Sequence, residues 1–122
     1  YHEDTDFLGM VYYANYLKFI ERARSELLRN IGIDQYTMKL EQNLFFTVVE
    51  LSAKYYKPTK FGDSLSVKTE LSYLKFASLG LTQKIFCREK LVFSAEVKLA
   101  CTNDVFKPVR LPTNVRSSLL SI

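Results

Sequence analysis

From Tyr16 onward, apolar positions recur at Ile20, Ala23, Leu27 and Ile31, spaced four, three, four and four. That is the one-sided stripe of an amphipathic helix. The other face is polar, with Lys18, Glu21, Arg22, Arg24, Ser25, Arg29 and Asn30. Gly32 follows the last periodic position, where a glycine can take the left-handed conformation that closes a helix. The helix is therefore predicted to end near Asn30 or Ile31. Gly9 disfavours an early start, and neither Pro nor Gly interrupts the run from Val11 to Gly32. The start is predicted between Val11 and Asn15.

Beyond Gly32 the period changes. Asp34 can cap a short helix from Gln35 to about Gln42. Leu44 to Lys57 reads as a strand, with Phe45, Val49, Leu51, Ala53 and Tyr55 on one side and Glu50, Ser52 and Lys54 on the other; Pro58 ends it. After the turn Phe61-Gly62-Asp63-Ser64, the residues Leu65, Val67, Thr69 and Leu71 alternate with Ser66, Lys68, Glu70 and Ser72. Ser78 to Arg88 is a third strand, Glu89-Lys90 a turn, and Leu91 to Asn103 a fourth. In this last strand Leu91, Phe93, Ala95, Val97, Leu99 and Cys101 stand against Ser94, Glu96, Lys98 and Thr102. Asp104 to Pro112 reads as a loop, and Thr113 as the cap of a short helix through Leu120. Strands joined by short turns pair antiparallel, and the long helix must bury its stripe against the resulting sheet. The expected class is α+β, an antiparallel sheet wrapped around one long helix, a pattern that several helix-on-sheet folds share.

Composition narrows this picture without changing it. A chain of 122 residues suits one domain, residues 1–122. Its 48% hydrophobic and 25% charged residues argue against disorder. Neither a membrane-spanning apolar run nor a signal-peptide pattern occurs, so the default expectation is a cytoplasmic protein. The net charge of +4 suits nucleic acid, a membrane surface or a phosphorylated small molecule. Bases are interleaved with acids and no run of five like charges occurs, so nucleic acid is not the expected partner. Cys87 and Cys101 do not form a disulfide framework and read as reduced thiols in strands. Eight Tyr and nine Phe exceed what a domain this small can bury alone, which points to a pocket or an interface.

Candidate chemistry concentrates just before the long helix. His2, Glu3, Asp4, Thr5 and Asp6 place one imidazole, three carboxyls and a hydroxyl ahead of its N-terminus. That terminus offers unpaired N–H groups and a partial positive charge, which stabilise an anion or a developing oxyanion. From spacing alone the cluster also reads as simple helix capping. Other routes lose their parts: His2 is the only histidine, a G-x-S-x-G elbow is missing, and four glycines supply no phosphate loop. Two distant cysteines with one histidine are too few for the usual structural zinc site.

The string Asp4-Thr5-Asp6-x-x-Gly9-x-Val11-Tyr12-x-Ala14-Asn15-Tyr16, followed by Phe19-x-Glu21-x-Ala23-Arg24, resembles the opening of the YbgC-type, 4-hydroxybenzoyl-CoA-thioesterase-like branch of the hotdog-fold thioesterases. The similarity continues through Tyr55-Tyr56-x-Pro58, Lys75 to Gln83, Lys107-Pro108 and Leu111-Pro112, and so spans the whole chain. Relatives begin a few residues earlier with a strand, so the first strand is expected to be cut short here. The resemblance implies a hotdog fold and acyl-CoA hydrolysis, with Asp6 as catalytic carboxylate and the backbone N–H of Tyr13 polarising the thioester carbonyl. Many relatives carry His at position 13; here that imidazole is replaced by a phenol, which leaves the backbone N–H unchanged.

Gly9, Val11 and Tyr12 are the expected substrate-binding positions in the opening motif. Lys75 and Ser78 are expected in the turn that contacts the coenzyme A tail in relatives, often across a subunit boundary; Lys54, Lys57 and Arg88 are further candidates. Asp6 could attack the thioester as a nucleophile or activate a water, and the sequence leaves both routes open. Asp4 reads as a structural acceptor, and pocket depth depends on Phe45, Phe46, Tyr55 and Phe61. Metal and redox cofactors are not expected, and coenzyme A counts as part of the substrate. By resemblance the chain is expected to form homodimers by joining sheets edge to edge, or homotetramers. Alternatives are a thioesterase for acyl carrier protein and a non-catalytic acyl-binding or envelope-associated scaffold.

Overall fold

The computed structural model describes residues 13–57, 59 and 63–122. Helix α1 (Tyr13–Asn30) starts and ends within the predicted limits. The Gly32 N–H closes onto the Arg29 carbonyl with φ at 91°, the left-handed stop expected of a glycine there. The line that faces the sheet differs from the predicted stripe. Tyr16, Ile20 and Leu28 are buried, whereas Ala23, Leu27 and Ile31 are half-buried. Arg24, expected on the solvent face, completes that line at a spacing of four and is half-buried. Its guanidinium is tolerated there because the sheet supplies an acceptor, described below.

Helix α2 (Gln35–Thr37) begins at Asp34, whose Oδ1 accepts the N–H groups of Tyr36 and Thr37 at 3.0 and 3.3 Å. A π-helical turn (Met38–Gln42) continues it to Asn43 at φ 53°. Four strands follow: β1 (Phe45–Tyr55), β2 (Leu65–Leu74), β3 (Ser78–Cys87) and β4 (Lys90–Thr102). They form one antiparallel sheet in the order β1-β4-β3-β2. The β3–β4 turn is Arg88–Glu89, one residue earlier than predicted. Both residues have positive φ, 50° and 70°, the sense of turn that matches strand twist in two-residue hairpins. Helix α3 (Thr113–Leu119) is entered from Pro112, so Thr113 is its first residue rather than its cap.

The cross-strand pairs Leu79–Leu99, Leu81–Val97, Gln83–Ala95 and Ile85–Phe93 build the inner face, and all eight residues are buried. The predicted alternation of β4 thus holds. In β1 it does not, because the register shifts between Val48 and Glu50. Phe46 and Val48 therefore share the inner face with Leu51, Ala53 and Tyr55, while Phe45 falls on the outer one; the extra residue, Val49, is exposed. A bulge inserts one unpaired position and so reverses the phase of everything before it. On the outer face Tyr73 lies against Gly80, where a Cβ would collide with its ring. Cys101 is buried, Cys87 is half-buried, and both are free thiols, as expected. Burial pushes the Cys101 thiol up from its ordinary value.

Candidate active site

Helix α1 places its first turn over the end of the sheet where β1 finishes and β4 begins. The Tyr16 ring lies 5.2 Å from Phe93 and 6.2 Å from Tyr55, and Tyr55 lies 5.0 Å from Phe93. Tyr16 and Phe93 are buried, but Tyr55 remains 47% exposed, so this aromatic floor is open at the β1 edge. The Tyr16 hydroxyl pairs with the buried Thr59 hydroxyl at 2.7 Å and ties the connection after β1 to the first turn of the helix. Tyr13 is the first residue of α1, so its N–H precedes the repeating intrahelical pattern. The first turn carries no acidic side chain to compete for that positive end.

Asp6, Gly9, Val11 and Tyr12 lie outside the described residues, as do His2, Glu3, Asp4 and Phe61. Lys75 and Ser78 do come together: the Lys75 N–H donates to the Ser78 carbonyl at 2.8 Å, closing the turn between β2 and β3. The Lys75 ammonium sits 5.0 Å from the centre of the Tyr73 ring. Nearby, Arg116 donates to the Lys75 carbonyl at 2.9 Å, and the Arg110 guanidinium stacks 4.9 Å over the exposed Phe76 ring. Lys54, Lys57 and Arg88 are exposed. Within one chain, however, this cationic turn is far from the start of α1. Ser78 opens β3 and Ile85 pairs with Phe93 near Tyr16; seven residues of strand separate them by about 23 Å.

Two polar side chains escape the sequence reading. Thr59 follows a proline and carries no pattern. Gln83 had a signal, since it occupies an apolar position in the alternation Leu79, Leu81, Gln83, Ile85. It is fully buried beneath α1 and accepts from Arg24 at 2.8 Å. Burial lowers the Arg24 pKa below its ordinary value, partly offset by the carboxylate of Glu21. Among the described residues, His, Cys, Asp and Glu side chains form no group of three able to hold a metal ion. Also among them, no helix is long and apolar enough to cross a membrane.

Among the described residues, one antiparallel sheet with a long helix packed on its inner face is the hotdog architecture. The thioesterase superfamily model matches residues 8–94, and the chain belongs to that family and is a thioester hydrolase. It is 40% identical to the acyl-CoA thioesterase YbgC of Haemophilus influenzae, over 97% of this chain and 88% of that one. The Helicobacter pylori acyl-CoA thioesterase YbgC is 30% identical, over 100% and 96%. A probable thioesterase from Bartonella henselae superposes with a TM-score of 0.83 at 38% identity, covering 92% and 93%.

Proposed function

We propose that this hydrolase cleaves acyl-CoA to free acid and coenzyme A, with the Asp6 carboxylate as nucleophile or general base and the Tyr13 N–H as oxyanion donor. The observation that carries the reading is the start of α1 at Tyr13, the position at which an amide is expected to meet the carbonyl oxygen. A well-placed donor of this kind contributes about 3 kcal/mol to the barrier. The thiolate leaves readily, so the route calls for no strong general acid and no metal or redox cofactor. Gly9, Val11 and Tyr12, in the motif ahead of α1, are the residues we assign to binding the thioester.

The same reading requires a second copy of the chain. Helix α1 packs chiefly on β2 and β3, and Val48, Leu51 and Tyr55 on the inner face of β1 stay partly exposed. Val48, Val49 and Leu51 are 44%, 51% and 39% exposed on an edge strand that ends at Tyr55. Among the described residues this apolar edge pairs with no further strand, and such an edge invites antiparallel addition of an identical one. Such pairing sets Phe45 of one chain near Tyr55 of the other. The Lys75–Ser78 turn of one copy then faces the helix start of its partner, and its cations meet the coenzyme phosphates. Cytoplasmic acyl-CoA is the substrate pool we assign to it.

Thiol release from a panel of short, long and aromatic acyl-CoAs tests this directly. Turnover on at least one member is expected; none on any member overturns the acyl-CoA reading. The net charge of +4 favours one second reading, an acidic acyl carrier protein as substrate. Its hydrolysis would weaken steeply as salt rises, because attraction between oppositely charged proteins is screened.

A further inference from the structure

Gln83 uses both ends of its amide within the layer between helix and sheet. Its Oε1 accepts from Arg24 at 2.8 Å, while its Nε2 donates to the Ile20 carbonyl at 2.8 Å and to the Thr69 hydroxyl at 3.0 Å. Ile20 and Arg24 stand one turn apart on the sheet-facing line of α1, so the sheet grips the helix at two consecutive levels. Elsewhere on that line Leu28 and the Tyr16 ring meet the sheet through apolar surface, the Tyr16 hydroxyl bonding Thr59 after β1 rather than a strand. Apolar ridges resist sliding weakly because dispersion is non-directional and falls off gently. Hydrogen bonds do not: they weaken steeply with misalignment. Between helix and sheet the Gln83 contacts therefore supply the directional restraint on the rotation and axial position of the helix.

Tyr13 lies seven residues before Ile20 on an uninterrupted helix, about 10 Å away at 1.5 Å per residue. A slide at Ile20 reaches it undiminished. Oxyanion donors act only within a few tenths of an ångström of their position, and a misplacement of about 1 Å can cost on the order of a hundredfold in rate. We infer that Gln83 is a positioning residue for hydrolysis, holding α1 through Ile20 and Arg24 so that the Tyr13 amide meets the reacting carbonyl. This rests on the reading of the α1 start as the oxyanion site.

A purely structural role gives a different result. Replacing both members of a buried polar pair by apolar groups of similar shape is often neutral for stability, so Arg24→Met combined with Gln83→Met separates the two. We expect Gln83→Met to lower kcat about tenfold or more with KM within about twofold. The double variant is expected to recover the thermal midpoint while kcat stays low. A double variant that recovers kcat along with the midpoint, or a Gln83→Met protein with wild-type kcat, overturns the inference. Hydrogen exchange along α1 supplies a readout independent of turnover. Its amides should exchange faster in the double variant than in wild type despite equal midpoints, and unchanged rates sink the inference even if acyl-CoA proves not to be the substrate. A wild-type protein inert toward every acyl-CoA counts instead against the proposed function.

Discussion

Tyr16 combines a core ring with a hydroxyl that reaches the connection after β1. Its ring is core, but its oxygen pairs with the Thr59 hydroxyl, and both residues are buried. Tyr16→Phe leaves the Thr59 hydroxyl without that partner, and we expect a loss of about 1–2 kcal/mol in urea denaturation. Thr59→Val in the same protein should return part of it, because the orphaned group is then gone; losses that simply add would contradict the pairing. The ring's place was legible, since Tyr16, Ile20 and the next turns keep helical spacing. The hydroxyl's partner was not, because a contact 43 residues away leaves no periodic trace. Arg24 was misread for a related reason. Composition assigns a cation to the solvent face, and only the polar substitution at Gln83, two strands into the sheet, makes the inner position tolerable.

Elements with one strong period were readable in their extent. Strand β4 also keeps its predicted inner face, whereas helix α1 keeps its ends but turns Arg24 and Leu28 inward in place of Ala23 and Leu27. In β1 the pattern is apolar on both sides over Phe45-Phe46 and Val48-Val49, so its phase depends on a bulge that only pairing with β4 reveals. The short helix α2 was announced by Asp34, and its cap yields a pH prediction. The Thr37 hydroxyl, with the Thr37 and Tyr36 amides, holds the Asp34 carboxylate below its ordinary value of 3.8. As pH falls, the unfolded chain takes up this proton before the folded one does. The cap's contribution is thus complete above that ordinary value and fades as pH drops through the lower folded one. The difference in thermal midpoint between wild type and Asp34→Ala should therefore be largest near neutrality and shrink toward pH 2; a constant difference would show that the carboxylate charge is irrelevant.

At the scale of the molecule, one chain holds a helix start and a cationic turn at opposite ends of a sheet, and antiparallel joining of β1 to its copy would bring each to the other. Leu51→Lys, on the exposed edge, is expected to reduce the mass in sedimentation equilibrium from a multiple of 14.2 kDa to that value. Turnover should fall with it, through KM if the partner's Lys75 turn binds the coenzyme. A monomer with wild-type kinetics would dissociate the site from assembly. The surplus of aromatic residues pointed to a pocket or an interface without saying which strand would lie at an edge, since edge and centre are decided by strand order.

The central claim is that Asp6 carries the chemistry ahead of α1. It is tested most directly by thiol release from the best acyl-CoA with wild type and Asp6→Asn, both checked for folding by circular dichroism. The amide keeps the shape and removes the basic, nucleophilic carboxylate. We expect turnover to fall about a hundredfold or more, roughly 3 kcal/mol in barrier, in a folded variant that still binds substrate. Wild-type turnover in a folded Asp6→Asn protein would contradict the account.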